Sequence, residues 1–244
     1  MKHKTRGAAL ATAALVALIA LFGMTGCPNN AGGGGTLQAS LVSGGASLIL
    51  SADKLTIKVR AVTADNSAIT VEGCDETTLT SDVKTRLTAT GTRVVLKGKI
   101  TKLYCNGSRN NRQSLTALNV QGCTSLQVLD CEYNQLIEFN VQALTSLEWL
   151  PCHVNQLTEL NVQGYVALKK LYCRHNNLTS LNVQGCTALE ELNCISNKLN
   201  AEVMTELLNA LPARNENNYG EATLYNEGKF STEGNTKTSA LRLN

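Results

Sequence analysis

Apolar positions along this chain recur with a period of 21 residues. Leu129, Cys131, Asn134 and Leu136 return as Leu150, Cys152, Asn155 and Leu157, then as Leu171, Cys173, Asn176 and Leu178, and again as Leu192, Cys194, Asn197 and Leu199. An earlier copy opens at Leu103-Tyr104-Cys105, but Cys131 follows its cysteine by 26 residues. Five extra residues therefore lie within 106–114, and a protruding loop is expected there. The second half of the unit is stricter still: Leu115-Thr116-Ala117-Leu118-Asn119-Val120-Gln121-Gly122-Cys123 is matched by Leu178-Thr179-Ser180-Leu181-Asn182-Val183-Gln184-Gly185-Cys186. Alternation in L-x-C and in L-N-V is the signature of two short strands per unit, with Leu, Cys and Val inward. One such turn cannot bury its own apolar side, whereas stacked turns share a continuous core. The asparagine at 134, 155, 176 and 197 is expected to close the turn after the first strand. Its amide can satisfy backbone groups that the bend leaves unpaired.

The unit L-x-C-x-x-N-x-L-T-x-L-N-V-Q-G-C-T-x-L-x-x is close to the leucine-rich-repeat consensus, with cysteine where leucine is common. The expected fold is a repeat solenoid, mainly β: a short leucine-rich-repeat coil with a parallel β-ladder over residues 100–199. Residues 36–99 alternate as strands, for example Leu55-Thr56-Ile57-Lys58-Val59, and form a β-rich N-terminal region and cap. Their earlier part is either a small β-domain or a strand-rich extension. Residues 200–244 supply a C-terminal capping helix and a polar tail. Asn200 is the expected N-cap, Val203, Met204, Leu207, Leu208 and Leu211 follow at helical spacing, and Pro212 ends the helix. Thr223-Leu224-Tyr225 offers one last strand.

Residues 1–26 read as a secretory signal. Lys2, Lys4 and Arg6 precede an apolar run from Ala8 to Phe22, which is shorter than the roughly 20 residues a spanning helix needs. Met24-Thr25-Gly26-Cys27 resembles a bacterial lipobox, with Met24 where leucine is usual, so Cys27 is the expected lipidation site. Residues 27–35, rich in glycine, supply a flexible tether. Of the 22 basic residues, three belong to the signal, and without them the count equals the 19 acidic ones. A near-neutral body lacks the electrostatic footprint of a nucleic-acid binder.

The repeats resemble the Cys-containing leucine-rich repeats of treponemal (spirochaete) surface lipoproteins, the N-V-Q-G phrase included. The resemblance extends upstream through Ala68-Ile69-Thr70-Val71-Glu72-Gly73-Cys74 and residues 96–103. Downstream it continues through Leu199-Asn200-Ala201 to Leu211-Pro212. It implies a lipid-anchored binding protein of the bacterial envelope, exposed at the outer membrane or cell surface, and it leaves the ligand open. Two functional classes follow. One is a surface binding protein or adhesin for a protein or glycan partner, of host origin among the possibilities. The other is a structural envelope lipoprotein whose repeats contact other envelope components.

Catalytic and metal chemistry find little footing. The chain has nine cysteines, and after Cys27 an even number remains. The five in the 21-residue ladder occupy inward positions, where free cysteine acts as a small hydrophobe. Neighbouring coils bring them near enough to pair, but in-register parallel strands point their Cβ vectors the same way, which disfavours bridging. No C-x-x-C pair suggests zinc. Cys152 and His153 are adjacent on a strand and face opposite sides, as do Glu190 and Glu191. His153 and His175 lie on neighbouring coils and are read as ordinary surface histidines. No phosphate loop, nucleophile elbow or dinucleotide fingerprint occurs. The expectation is a non-enzyme without metal or cofactor.

What varies is the outward face of the first strand. Its columns read Lys102, Val128, Trp149, Lys170, Glu191; then Tyr104, Asp130, Pro151, Tyr172, Asn193; then Asn106, Glu132, His153, Arg174, Ile195. On the second strand the outward column is asparagine in each copy, flanked by glutamine, a ladder that reads as structural. Trp, Tyr and Arg dominate interface hot spots, so Trp149, Tyr172 and Arg174 form the expected recognition patch, bordered by Lys170, His153 and Tyr104. The alternative for Trp149 is that its ring folds over a gap left by Pro151.

Overall fold

The computed structural model describes residues 39–213 and 221–224. The signal segment, Cys27, the glycine-rich tether, Tyr225 and the polar tail lie outside the described residues. The described part is mainly β. Before the repeats come β1 (Gly45–Leu50), β2 (Thr56–Thr63), β3 (Ile69–Glu72), β4 (Thr78–Leu79), β5 (Thr85–Thr88) and β6 (Arg93–Lys97). Coil 1 then contributes β7 (Ile100–Tyr104) and β8 (Leu115–Asn119), coil 2 β9 (Val128–Asp130) and β10 (Glu138–Asn140), and coil 3 β11 (Trp149–Pro151) and β12 (Glu159–Asn161). Coil 4 holds β13 (Lys170–Tyr172) and β14 (Ser180–Asn182). Coil 5 holds β15 (Glu191–Asn193), followed by α1 (Ala201–Ala210) and β16 (Glu221–Thr223).

The first strands pair in parallel with a one-unit register: Leu103 beside Leu129, Leu150 beside Leu171, Leu171 beside Leu192. Every leucine and cysteine of this ladder is buried, and the leucines of the second strands complete the same core. The five additional residues of coil 1 emerge as an exposed loop at 108–112, closed by a bridge between Ser108 and Asn111.

Asparagine welds the coils together. Asn155 Oδ1 accepts from Leu136 N at 3.0 Å, while its Nδ2 donates to Cys131 O and Cys152 O, both at 3.0 Å. Asn134, one unit before, and Asn176 and Asn197, one and two units after, make the same set. Each amide thus joins its own turn to the preceding coil. The residue before each asparagine adopts a left-handed backbone: φ is 53° at Tyr133, 57° at Val154, 52° at His175 and 54° at Ser196. Such a conformation is costly for a β-branched residue like Val154, so the bend persists because the buried amide network determines it.

The N-terminal region seals the first coil on both sides. β2 runs antiparallel to β7, extending the first-strand ladder, and β5 follows β2. β1 sits between β6 and β8, antiparallel to both, and is buried along its whole length. β1, which opens the segment read as either a small β-domain or a strand-rich extension, is thus a central strand of the sheet that receives coil 1. Its turn packs closely on the N-V-Q-G phrase of that coil: a Cβ on Gly122 would lie 1.7 Å from Val42 O and 2.7 Å from Gly45 O.

The second-strand ladder is interrupted. β10 pairs with β8, and β12 pairs with β14, but β10 and β12 do not pair. Val120 N reaches Asn140 O at 3.1 Å and Val162 N reaches Asn182 O at 3.0 Å, yet no equivalent bond joins Val141 to Asn161. The repeat departs from its own pattern at this seam. Phe139, half-buried, replaces leucines that are buried in the other coils, and Ile137, 58% exposed, replaces a threonine. Ala143 holds a φ of 66° where Gly164 and Gly185 stand at 78° and 77°.

At the far end, Asn200 caps α1 through its side chain, which accepts from Val203 N at 2.9 Å. Met204 and Leu207 are buried, α1 lies against β14, and the helix ends before Pro212. β16 joins β15 in parallel, two residues earlier than the expected Thr223–Tyr225 strand. No described helix is long and apolar enough to cross a membrane.

Candidate functional site on the first-strand face

Alternation along the first strands sends Leu and Cys inward and leaves three outward columns in register. Trp149 pairs with Val128 and Lys170 in the first, and Pro151 with Tyr172 in the second. Trp149, Lys170 and Tyr172 line a depression of ≈ 580 Å³ together with Lys102, Val128 and Glu148. Tyr172 also lines a second depression of ≈ 300 Å³, which it shares with His153, Arg174, Asn193, Glu221 and Thr223. Tyr172 is thus the ridge between two concavities, and the structure brings Trp149, Lys170, Tyr172 and Arg174 to one face.

Glu191 organises this face. Its carboxylate accepts from both Lys170 Nζ and Tyr172 Oη, one coil away. Those bonds hold Glu191 below the usual carboxylate range, and the same carboxylate pushes Lys170 up. Tyr172 is raised by burial first and by Glu191 second. A neighbouring pair, Lys169 Nζ with Glu148 Oε2 at 2.7 Å, repeats the pattern beside Trp149. The sequence signal for Glu191 was a carboxylate one period after a lysine in the same column.

Two expected rim residues are placed differently. His153 is only 6% exposed. Its Nε2 lies 2.8 Å from Glu132 Oε2 on the preceding coil, and its ring meets Tyr133 edge-on with centroids 5.3 Å apart. A carboxylate and an aromatic ring on coil 2 draw the imidazole down, so it is a buried wall and not a surface histidine. His175 occupies the left-handed turn position of its coil, out of register with His153. Tyr104 is covered by Arg60, whose guanidinium carbon stands 4.1 Å above the ring, and Arg60 in turn reaches Asp82 at 3.6 Å. It belongs to the junction with the N-terminal strands, apart from the Trp149 patch. Trp149 itself is half-buried, and its Nε1 is shut from solvent with no acceptor among the described residues.

Asp130, between Tyr104 and Pro151, is 7% exposed. Burial, with Glu132 adding to it, pushes its carboxyl from 3.8 up to about 7. A carboxyl that holds its proton more tightly when folded stabilises the fold fully below 3.8, and that contribution is lost as pH rises through about 7. Asp130→Asn, which stays neutral, is therefore expected to melt several degrees above the wild type at pH 8 and to match it near pH 4. Thermal unfolding of both proteins across that range checks the sign.

The second-strand face looks inward to itself. Asn140, Asn161 and Asn182 each accept from the backbone N–H of the glutamine two residues on, and Gln163 Nε2 donates to Gln184 Oε1 at 3.4 Å. Asn119 makes the same turn but is buried, because its Nδ2 donates to Ala39 O of the N-terminal segment. The thiols are equally self-contained. No disulfide joins the eight cysteines of the described residues, and burial pushes Cys152 and Cys194 up to about 12, so their thiols stay protonated. No known protein family matches the chain by its sequence profile, and no curated protein sequence matches it.

Proposed function

We propose that this chain is an exported, lipid-anchored binding protein of the bacterial envelope, in which a short leucine-rich-repeat solenoid presents its first-strand face to a protein or glycan partner. Export and attachment through Cys27 rest on the pattern of residues 1–35, and the solenoid reading rests on the 21-residue register of the parallel ladder. The observation that carries recognition is the contrast between the two faces. On the second, asparagine and glutamine close onto backbone and onto one another. On the first, Trp149 and Tyr172 border open depressions, and Lys102 and Arg174 stand without a carboxylate partner among the described residues. Aromatic and arginine anchors in such settings dominate binding energy.

The test is binding of the partner captured by the full chain from envelope extract or extracellular matrix, measured on variants. Trp149→Ala and Tyr172→Ala are each expected to weaken it by about 2 kcal/mol or more. The double variant Asn161→Ala, Gln163→Ala on the second face should leave it intact. Unfolding midpoints should stay close to wild type for the first-strand variants, since both side chains face away from the leucine and cysteine core. Equal losses from both faces, or loss from neither, would remove the reading.

A further inference from the structure

The smaller depression is more selective than a general contact surface. At ≈ 300 Å³ it stands at the lower end of cavities that hold small molecules, too small for a protein partner's main contact area. Its wall on the third column is basic. Arg174 has no ion-pair partner among the described residues, and beside it the buried His153 has its Nε2 turned to Glu132. The Nδ1 of the same ring is shut from solvent with no partner among the described residues, an unmet polar atom in a side chain more than nine-tenths buried. The lining also carries two carboxylates, Glu191 and Glu221. Glu191 is occupied by Lys170 and Tyr172, and Glu221 Oε1 accepts from Thr223 Oγ1 at 3.5 Å, which leaves Glu221 Oε2 as the acceptor for a ligand hydroxyl. The lining is completed by one aromatic ring, Tyr172, and two small polar side chains, Thr223 and Asn193, whose Oδ1 accepts from Ile195 N at 3.4 Å and whose amide Nδ2 faces other partners.

That arrangement sorts ligands by chemistry. A compact polyanion such as phosphate gains Arg174 but shares a depression of ≈ 300 Å³ with the carboxylates of Glu191 and Glu221. A neutral sugar leaves the guanidinium unanswered. An acidic peptide presents its carboxylate on a flexible aliphatic stem, with no row of hydroxyls for Asn193, Thr223 and Glu221. A hydroxylated ring carrying one carboxylate answers every group: guanidinium forks match carboxylates, and a carboxylate side chain accepts from hydroxyls. We propose that the depression bounded by Tyr172, Arg174, His153, Asn193, Thr223 and Glu221 is a binding site for a sugar acid of the uronic type. The ring lies against Tyr172, its carboxylate on Arg174, and its hydroxyls toward Asn193, Thr223 and Glu221. This rests on the reading of the first-strand face as a recognition surface and assigns it a glycan ligand.

Titration of the full chain in detergent with glucuronate, glucose, acetate and a glutamate-containing tripeptide, followed by calorimetry or by NMR of the sugar, tests it. Glucuronate should bind saturably, with glucose, acetate and the tripeptide each at least about tenfold weaker. Arg174→Met keeps the aliphatic stem and should abolish the preference for glucuronate over glucose. Asn161→Ala on the second face should leave the preference unchanged. Unfolding midpoints of both variants separate a lost site from a lost fold, and Arg174→Gln replaces Arg174→Met should the latter melt early. Equal binding of glucuronate and glucose, tighter binding of the tripeptide, or no saturable binding overturns the inference. Should that happen while Trp149→Ala still weakens the macromolecular partner, the recognition face stands and only its sugar-acid ligand falls.

Discussion

Replacing Asn155 with alanine is expected to destabilise the fold by about 3 kcal/mol. The loss is local but falls on two coils. Leu136 N is left buried without its acceptor, and the carbonyls of Cys131 and Cys152 each keep one amide donor where they had two. An unmet buried donor costs about 1–3 kcal/mol by itself, and weakened acceptors add to it. Asn155→Asp makes the argument sharper. Aspartate keeps the acceptor for Leu136 N but sets a carboxylate oxygen against two carbonyl oxygens, so it should be at least as damaging as alanine. Urea unfolding of the three proteins decides the matter. An aspartate variant near wild type would mean that the acceptor half alone holds the turn.

Gly122→Ala is expected to be comparably severe, at about 3 kcal/mol or more, although only one methyl group is added. The added carbon would lie 1.7 Å from Val42 O, and backbone on both sides leaves no flexible side chain to yield. The turn before β1 must then move off coil 1, taking with it the bond from Asn119 to Ala39. Gly164→Ala provides the contrast. There a Cβ meets nothing within 4 Å, and the penalty is only that of a left-handed φ of 78°, about 1 kcal/mol. Ala143 already tolerates a φ of 66°, so Ala143→Gly should stabilise slightly. One glycine position in the repeat thus serves two physical ends, which thermal or denaturant unfolding of the three variants should separate.

Much of this architecture is legible in the order of residues alone. The 21-residue spacing placed β9, β11, β13 and β15 to within a residue, because inward Leu and Cys at alternate positions leave a short strand little freedom. Asn200 and Pro212 bracketed α1 for reasons of local hydrogen bonding. Column assignments also transferred to the structure, since register fixes them. What the columns could not tell was height above the sheet. His153 was read as rim and lies buried, because its depth depends on Glu132 and Tyr133 on another coil. Tyr104 was read with the patch and is covered by Arg60 from β2, a contact between residues 44 apart with no periodic signal. The insertion of β1 between β6 and β8 was equally hidden, since alternation reveals a strand but not its neighbours. Glu191 was within reach, as a charge of opposite sign one unit beyond Lys170.

The unpaired edge between β10 and β12 gives the stack uneven stiffness. Along the first strands, bonds such as Cys131 N to Pro151 O at 3.0 Å and Tyr133 N to His153 O at 3.1 Å run through without a break, and Asn155 ties the adjoining turn. On the opposite side the two coils keep the bond from Gln156 N to Leu136 O at 2.9 Å where the second strand begins, but β10 and β12 form no ladder beyond it. A layered body bound along one margin and free along the other flexes there first, with its axis along the bound margin. That axis passes beside Trp149. The larger depression draws Lys102 and Val128 from coils 1 and 2 and Lys170 and Tyr172 from coil 4, so a tilt of coils 3–5 at this seam would change its width.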